Sequence, residues 1–493
     1  MKHYIFCQEP FNTQKGGVVG YLSQLYLALN STNRLCLSDD GIDISFLFPV
    51  SYIRPIEYPS ITQLNPEFMS VVNHDFSRLN WYHKEKFIKR WNYQFRSILP
   101  YSEIRKIDFA NLKSFHIHGA YNFAPVYNTL CSFGLEKKIV KIISTHNPFK
   151  PMLEDIELIS RDFKWRIAQK SVISYVLSER DRLAYQLSDA IVFPCEESME
   201  LYYQSWPEFQ EITKHKKIYF CETGSAPKKV RTQSKTLRTS LNIPEGAVVF
   251  LYLGRFIKIR GFDLVIEAAK RLLATNKNIY FLIVGERTEV PIKSNQWIQV
   301  PYTNYPGDYL AISDVVLAPN RGSYFDLSMI EALASAKPLL CAEVGGYKWL
   351  RNKTSGVFFF KPEKMDDFVS QIIWLSKLTK EKLNNLGQVN QDFYMSHLTP
   401  DNFARNYTNV ICKIYDDFNI DDAPNLFSIS PELTFKDGYE CLGLVKPDSF
   451  LNQVKKANRT NRAHIVAKFL ESRFGTNSLL YRTAKKIYWN FVY

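Results

Sequence analysis

The sequence predicts an α/β protein with two domains, each built on a largely parallel β-sheet. Two observations support this prediction. The chain has 493 residues, which is more than one compact core usually holds. Short apolar runs alternate with amphipathic helical segments in two successive passes along the chain, and this alternation is typical of parallel sheets covered by helices.

The first pass begins with an apolar run at residues 4–7, which is predicted to be a strand. A glycine pair, Gly16 and Gly17, separates it from a helical repeat of leucines. A glycine pair lets the backbone approach a bound ligand, although any tight turn also uses one. Four further strands are predicted at residues 44–48, 114–118, 141–144 and 190–193.

The second pass begins with a strand at residues 248–254. Residues 218–230 contain Gly, Pro and several Lys, and they are predicted to connect the two passes. The later elements of this pass are a helix at 262–273, strands at 280–285 and 315–318, a helix after Leu327, and a strand at 339–342. The predicted regions are a first domain (1–225), a second domain (226–392), helices that return to the first domain (393–420), and a basic amphipathic extension (421–493).

The composition is that of an ordinary folded protein, with 46% hydrophobic and 23% charged residues. The apolar runs are shorter than the roughly 18 residues that a membrane span needs. The apolar stretch near the N-terminus is too short for the hydrophobic region of a signal peptide. The eight cysteines show no C-x-x-C spacing. We therefore expect reduced thiols and a cytoplasmic location.

The net charge of +13 is concentrated at the C-terminus. Residues 446–493 contain ten Lys and Arg against two acids, which gives +8, and aromatic and aliphatic residues lie between them. This pattern is typical of a segment that binds an anionic membrane surface. A solvated helical hairpin packed on the body of the protein would give the same pattern. The basic tail is the only feature of the sequence that favours nucleic-acid binding. We therefore expect no nucleic-acid partner.

The segment 319–338 carries the most chemical information. It follows the predicted strand at 315–318 and leads into a helix with apolar residues at helical spacing. A loop that enters a helix N-terminus offers free backbone N–H groups and the positive end of the helix dipole, which suits a phosphate. Glu331 lies one turn into that helix, where it could accept hydrogen bonds from a ribose.

Two motifs in this half of the chain resemble those of the retaining glycosyltransferases of family 4. The segment from Gly254 to Gly261 is similar to the family's Gly-Arg-Leu-x-x-x-Lys-Gly motif, with Arg255 and Arg260 as its two cations. The resemblance covers about residues 1–418 and implies the GT-B architecture, in which two Rossmann-like domains face each other across a cleft. It also implies that a nucleotide-sugar donor binds the second domain and the acceptor enters over the first.

In this family the two cations hold the diphosphate of the donor. A guanidinium in the place of the usual Lys keeps the charge and adds bidentate geometry. Fixed cations stabilise the negative charge that develops on the leaving diphosphate without a metal. The alternative is that Arg255 and Arg260 cap a helix or pair with acidic residues.

The second motif is the family's Pro-Ser-x-x-Glu-x-Phe-Gly-Leu segment followed by Glu-Ala. Phe325, Leu327 and Glu331 match it. The resemblance implies that Glu331 binds the ribose hydroxyl groups and that the backbone amides from Tyr324 to Leu327 lie around the diphosphate.

This motif also departs from the family pattern. Ser323 stands where the family has the first glutamate of a Glu-x7-Glu pair, and Asp326 replaces the following Gly. Asp326 is three residues away and could supply a carboxylate to the same space, or it could be a helix N-cap. Trp349 stands in the place of a further glutamate, after the glycine pair 345–346.

Two histidines follow predicted strands of the first domain. His118 matches the family's histidine near the scissile bond, where a neutral ring could bind a sugar hydroxyl or a charged ring could support the leaving phosphate. His146 lies in a Thr-x-His pattern after the next strand and would line the acceptor cleft. Either histidine could instead be a structural residue.

The sequence therefore predicts a metal-independent retaining hexosyltransferase that uses a nucleotide-diphosphate sugar and needs no cofactor. The predicted acceptor is a glycan or lipid-linked molecule, in bacterial surface polysaccharide synthesis at the inner membrane face. The alternative is a non-catalytic glycosyltransferase-like subunit that binds acceptor and supports a partner enzyme. The predicted catalytic residues are His118, Asp326, Arg255 and Arg260. The predicted substrate-binding residues are Gly16, Gly17, His146, Gly254, Ser323, Tyr324, Phe325, Leu327 and Glu331.

Overall fold

The structure is a computed structural model that describes residues 1–12, 17–37, 40–49, 70, 91–162, 167–285 and 292–428. Residues Met1–Ser428 form one compact unit. Gly16 and the extension from residue 429 onward lie outside the described residues. No helix in the described ranges is both long and apolar enough to cross a bilayer.

The first sheet has seven strands among the described residues, in the order β2-β3-β1-β4-β5-β6-β7. All neighbouring strands are parallel except β2 and β3. The strands are β1 (Lys2–Phe6), β2 (Cys36–Leu37), β3 (Ile42–Leu47), β4 (Leu112–His118), β5 (Val140–Ser144), β6 (Ala190–Phe193) and β7 (Lys217–Phe220).

Helices cover this sheet and extend from the carboxyl ends of its strands. A π-helical turn (Asn92–Arg96) and 3₁₀ turns (Ala120–Asn122 and Glu196–Met199) lie between them. The helices are α1 (Gly17–Ser31), α2 (Tyr101–Ile104), α3 (Phe123–Ser132), α4 (Pro151–Asp162), α5 (Ile167–Leu187), α6 (Glu200–Ser205) and α7 (Phe209–Thr213).

The second sheet is parallel throughout, in the order β10-β9-β8-β11-β12-β13. The strands are β8 (Val248–Gly254), β9 (Ile279–Gly285), β10 (Trp297–Pro301), β11 (Val315–Ala318), β12 (Leu339–Ala342) and β13 (Val357–Phe360). The strand order reverses between β8 and β11, so the loops after these two strands diverge and leave a crevice at the carboxyl edge.

Seven helices are described after β7, together with 3₁₀ turns at Lys258–Arg260 and Gly345–Leu350. They are α8 (Ser234–Ser240), α9 (Phe262–Leu272), α10 (Pro306–Ile312), α11 (Leu327–Ala334), α12 (Met365–Ser376), α13 (Lys380–His397) and α14 (Pro400–Asp417). In α9, residues Val265, Ala269 and Leu272 are buried at spacings of four and three, as an amphipathic helix on a sheet requires.

The predicted α/β fold with two Rossmann-like domains is confirmed. The central strands are buried on both faces, so they form continuous apolar runs that the sequence reveals. The prediction that 218–230 is wholly a connection is wrong, because β7 pairs with β6 as an edge strand. Its residues Lys217 and Phe220 are exposed, so no apolar run marked it.

The two C-terminal helices pack on different domains. Leu383 and Tyr394 of α13 belong to the core of the second domain, whereas Phe403, Tyr407 and Ile411 of α14 belong to the core of the first. The boundary predicted at residue 392 falls within α13. The domain boundaries otherwise stay a prediction.

A buried polar network fixes α14 to the first sheet. The hydroxyl of Tyr407 lies 3.0 Å from His3 Nε2 and 2.9 Å from His116 Nδ1. The other ring nitrogens lie 2.7 Å from Ser114 Oγ and 3.0 Å from Ser144 Oγ, respectively. Each imidazole nitrogen therefore has a partner, so these polar groups are buried without an unpaired donor or acceptor.

Acid is expected to destabilise this domain. Burial lowers the pKa of His3 from 6.5 to about 3 and lowers that of His116 well below its usual value. Below about pH 6.5 the unfolded chain binds protons that the folded chain does not. Above that pH the buried imidazoles do not reduce the free energy of unfolding. As the pH decreases further, the free energy of unfolding falls by about 1.4 kcal/mol per pH unit for each buried imidazole.

Melting temperatures measured from about pH 7.5 to about pH 5 test this expectation. His3→Asn should reduce the decrease in melting temperature with acid, while the same substitution at the exposed His215 should leave it unchanged. Equal acid sensitivity in His3→Asn and the unsubstituted protein would contradict the explanation.

Candidate functional site

The candidate site lies at the carboxyl ends of β8 and β11, where the crevice of the second sheet opens. Gly254 ends β8 and is followed by the segment that carries Arg255 and Arg260. The loop 319–326 follows β11 and leads into α11. The parallel strands thus place the Gly254–Gly261 segment and the loop 319–326 at the same edge of the sheet.

Gly261 fixes these two segments against each other. Its backbone is left-handed, with φ of 65°, and a Cβ at this position would lie 1.9 Å from the carbonyl oxygen of Pro319. Arg321 N also donates to Ile259 O at 2.9 Å. The close approach explains why a glycine ends the Arg255–Arg260 segment.

Arg260 forms an ion pair with Asp326. Asn320 Nδ2 donates to the other carboxylate oxygen of Asp326 at 3.0 Å. Burial acts to raise the pKa of Asp326, but the charge of Arg260 and its hydrogen bond outweigh this and hold the pKa below its usual value. Asp326 has the N-cap position of α11 but makes no side-chain cap bond.

Arg255 pairs with a residue that the sequence did not single out. Its Nη2 lies 2.9 Å from Oε1 of Glu154, on α4 of the first domain. Asn147 Nδ2 donates to Oε2 of the same carboxylate at 2.7 Å. The alternative that the two arginines pair with acids is therefore realised for both of them.

Glu331 lies in α11 and is 8% exposed. Its Oε1 is 3.1 Å from Nζ of Lys228, a residue of the segment between the two sheets. Burial raises the pKa of Glu331, and the nearby Lys228 charge opposes the rise without cancelling it. Lys228 is a second contact residue that the sequence did not indicate.

The glycine pair 345–346 supports the loop 319–326. Gly346 N donates to Ser323 O at 2.9 Å, and a Cβ on Gly346 would lie 2.3 Å from Tyr324 O. Trp349 packs its ring 5.2 Å from that of Phe325. The aromatic residue in the place of the family's glutamate thus forms part of the core.

The side chains of Tyr324 and Phe325 are buried in packing. The Tyr324 hydroxyl donates to Val192 O at 3.2 Å, and Ser198 Oγ donates to Tyr324 O at 2.6 Å. A substrate-binding role for Tyr324 and Phe325 is therefore limited to their backbone. Ser323 Oγ is also buried and has no hydrogen-bond partner among the described residues.

Leu327 begins α11, so its amide lies at the free end of that helix. Gly17 begins α1 in the first domain and has a left-handed φ of 64°. It is exposed, and its predicted partner Gly16 lies outside the described residues. The structure therefore places Leu327 at the site and leaves the role of the glycine pair a prediction.

The two predicted histidines contact each other. His118 Nδ1 lies 2.7 Å from His146 Nε2, and His118 Nε2 is buried without a partner in the described part of the chain. Burial, and then the neighbouring His116 and His146, lower the pKa of His118 well below its usual value. A neutral ring follows, so the charged form that the sequence left open is disfavoured.

His146 links this pair to the second domain. Its ring centroid lies 4.4 Å from that of Tyr21 and 5.6 Å from that of Tyr324. Burial lowers its pKa as well. His146 is therefore part of the contact between the first domain and the loop 319–326.

Comparison with known proteins agrees with this geometry. Residues 247–377 match the family described as Glycosyl transferases group 1. The second domain is therefore similar to this family over the matched residues. The match includes the segment from Gly254 to Gly261 and all of the loop 319–326, so both motifs of the site lie within it.

Two curated relatives match only part of the chain. The lipopolysaccharide 1,2-N-acetylglucosaminetransferase of Salmonella typhimurium is 25% identical over 29% of this chain and 42% of its own length. The D-inositol 3-phosphate glycosyltransferase of Geodermatophilus obscurus is 28% identical over 24% of this chain and 31% of its own length. The chain thus spans less than half the length of either relative.

Solved structures show the fold over a larger part of the chain. Sucrose-phosphate synthase from Thermosynechococcus elongatus is 15% identical with a TM-score of 0.53, covering 84% of this chain and 99% of that one. The α,α-trehalose 6-phosphate synthase of Burkholderia multivorans is 11% identical with a TM-score of 0.54, covering 85% and 97%. These likenesses confirm the predicted GT-B architecture.

Gly261→Ala is expected to lower the free energy of unfolding by about 2–4 kcal/mol, because the added methyl group meets Pro319 O and the left-handed backbone disfavours Ala. Chemical denaturation measures the change. Gly246→Ala is the matched control, since no atom lies within 4 Å of its Cβ position. Equal stability of the two variants would show that the 261–319 contact is not constrained.

Proposed function

We propose that this protein is a retaining glycosyltransferase that moves a hexose from a nucleotide-diphosphate sugar to a glycan or lipid-linked acceptor. The observation that carries the proposal is that Arg255 and Arg260 follow β8 while Glu331 lies in the helix after β11, so the parallel strands place all three toward the carboxyl edge of the second sheet. Two guanidinium groups and one buried carboxylate there match the diphosphate and ribose of such a donor in charge and in hydrogen-bonding capacity.

The chemistry assigned to the arginines is stabilisation of the leaving group. Negative charge builds on the diphosphate as its bond to the sugar breaks, and guanidinium groups fixed beforehand stabilise that charge without a metal ion. The amide at the N-terminus of α11 adds a further donor to the same region. Glu331 accepts hydrogen bonds from the ribose, in place of part of its contact with Lys228.

His118 is assigned to the donor sugar. Its Nε2 is buried and has no hydrogen-bond partner among the described residues, and the ring is neutral. A neutral imidazole can donate one hydrogen bond or accept one at this atom, depending on the tautomer. A sugar hydroxyl would satisfy the nitrogen in either case.

The relatives support the donor class more than the acceptor. The two curated relatives are transferases by name, and the Anabaena protein HepE, which has a TM-score of 0.50 to this chain at 11% identity, was solved in complex with UDP and glucose. It covers 83% of this chain and 99% of its own. The proposed role in bacterial surface polysaccharide synthesis is supported by the similarity to the lipopolysaccharide 1,2-N-acetylglucosaminetransferase.

A non-catalytic subunit is the second candidate function. It is favoured by the pairing of Asp326 with Arg260 and of Glu154 with Arg255, which neutralises both predicted phosphate cations. Ser323 and Trp349, in the place of two family glutamates, favour it as well. Such a subunit would bind acceptor over the first domain and would show no response to nucleotide sugars.

A thermal-shift screen against UDP, GDP, ADP, CMP, dTDP and their common sugars separates the two candidates. A ligand at a hundred times its Kd stabilises the folded state by about 2.7 kcal/mol, so a melting-temperature rise of a few degrees is expected. Arg255→Ala and Glu331→Ala should remove the rise.

Arg271→Ala is the control, because Arg271 lies on α9 and pairs with the exposed Glu267 and Asp366. It should keep the full response to the ligand. No response of the unsubstituted protein to any nucleotide sugar would instead favour the non-catalytic subunit.

We also propose a cytoplasmic location with peripheral attachment through residues 446–493. Each Lys or Arg near an anionic surface contributes about 1 kcal/mol, so the net charge of this segment is sufficient for measurable binding. The full chain should sediment with phosphatidylserine-containing vesicles, should not sediment with neutral ones, and should be released by salt. A chain ending at residue 445 that binds anionic vesicles equally well would refute the attachment.

A further inference from the structure

Three carboxylates lie among the residues of the candidate donor site, and they differ in how firmly they are held. Asp326 is bound by both Arg260 and Asn320. Glu331 is 8% exposed and pairs with Lys228. Glu154 comes from the first domain and is held by Arg255 and by one amide group of Asn147. Its side chain is 18% exposed, and that of Arg255 is 42% exposed.

Glu154 occupies Nη2 of Arg255, one of the two cations assigned above to the donor diphosphate. An oxygen of the diphosphate that bound Nη2 of Arg255 would meet the Glu154 carboxylate, which lies 2.9 Å from that nitrogen. Two anions this close repel each other even with a guanidinium between them. Glu154 also contributes to the raised pKa of Arg260, after the larger effect of Asp326, so its charge reaches both cations. A diphosphate oxygen that took this nitrogen would therefore displace the carboxylate.

The direction of that displacement is limited by Asn147. Its side-chain amide holds Oε2 of Glu154 at 2.7 Å, and Asn147 directly follows His146, which contacts His118. Glu154 thus contacts both Arg255 and the residue that follows His146. If the donor hexose contacts His118, as proposed above, its hydroxyl groups would lie in the same part of the first domain as Asn147 and Glu154.

We propose that Glu154 is a specificity-determining residue of the donor site, whose carboxylate leaves Arg255 when the diphosphate binds and then accepts hydrogen bonds from hydroxyl groups of the donor hexose. This inference rests on the proposed function. It assigns a sugar contact to α4 of the first domain, whose Glu154 competes with the diphosphate for Arg255 and then binds the sugar.

The other carboxylates are less suited to this contact. Turning Asp326 toward a sugar would break its contacts with both Arg260 and Asn320. Glu331, in α11, already pairs with Lys228. It is the carboxylate assigned above to the ribose. Ser323 has only a short side chain, and its buried hydroxyl offers no charge.

The test compares the binding of UDP and UDP-glucose, or of the corresponding pair that the thermal screen selects, by isothermal titration calorimetry. Glu154→Gln keeps the size of the side chain and removes its charge. UDP should bind about 2- to 5-fold more tightly to this variant, because the competing ion pair with Arg255 is lost. The extra affinity that glucose contributes should fall about 10-fold or more, since a hydrogen bond to a charged acceptor is lost.

Glu157→Gln is the control, with the same change in charge three residues further along α4. It should leave both affinities unchanged. Because the readout is the ratio of two affinities, general damage to the fold, which would weaken both ligands together, does not imitate the expected result. Melting without ligand checks that each variant folds.

Other outcomes would overturn the inference in distinguishable ways. An equal gain in affinity for UDP and UDP-glucose would show that Glu154 only competes with phosphate and does not contact the sugar. Unchanged affinities would show that Glu154 is not part of the donor site. If the unsubstituted protein binds no nucleotide sugar, the proposed function fails and this inference fails with it.

Discussion

The close packing of the loop 319–326 is the constraint on which the site depends. Gly261 meets the loop at Pro319 and Gly346 meets it at Tyr324, both at distances that no side chain could occupy. These contacts fix the start of α11, and with it Asp326 and Glu331. The proposed diphosphate site requires such fixed geometry, because charged groups stabilise a developing charge best when they do not have to move.

The same loop joins the two domains. Ser198 donates to Tyr324 O, the Tyr324 hydroxyl reaches Val192 O, and Lys348 pairs with Glu200 at 2.6 Å. The return of α14 to the first domain adds the buried network around Tyr407. Motion between the domains would have to preserve or exchange these polar contacts, since leaving a buried polar group unpaired costs about 1–3 kcal/mol.

Ion pairs within the site give it an electrostatic balance that the motifs alone do not suggest. Arg255, Arg260 and Glu331 each pair with a group of opposite charge. A diphosphate therefore gains the attraction of the arginines minus the cost of separating them from their carboxylates. Under the proposed function, donor recognition depends on whether the displaced groups find new partners, and the proposed role of Glu154 in sugar selectivity rests on its contact with Asn147.

The sequence by itself determined the fold class, most of the central strands and the motif residues of the second domain. It could do so because strands buried on both faces, such as β9 and β11, require continuous apolar runs, and because close backbone contacts require glycine at fixed positions. Edge strands carry no such requirement, so β7 was missed.

Which charges pair with each other depends on the folded chain. Arg255 and Glu154 are separated by 101 residues in the chain, and Arg260 and Asp326 by 66. The sequence found Arg255, Arg260, Asp326 and Glu331 but not their pairing, and it gave no sign of Glu154 or Lys228. It also left the charge state of His118 open. Burial settles that state, and burial is a property of the folded chain because it depends on which segments pack around the ring.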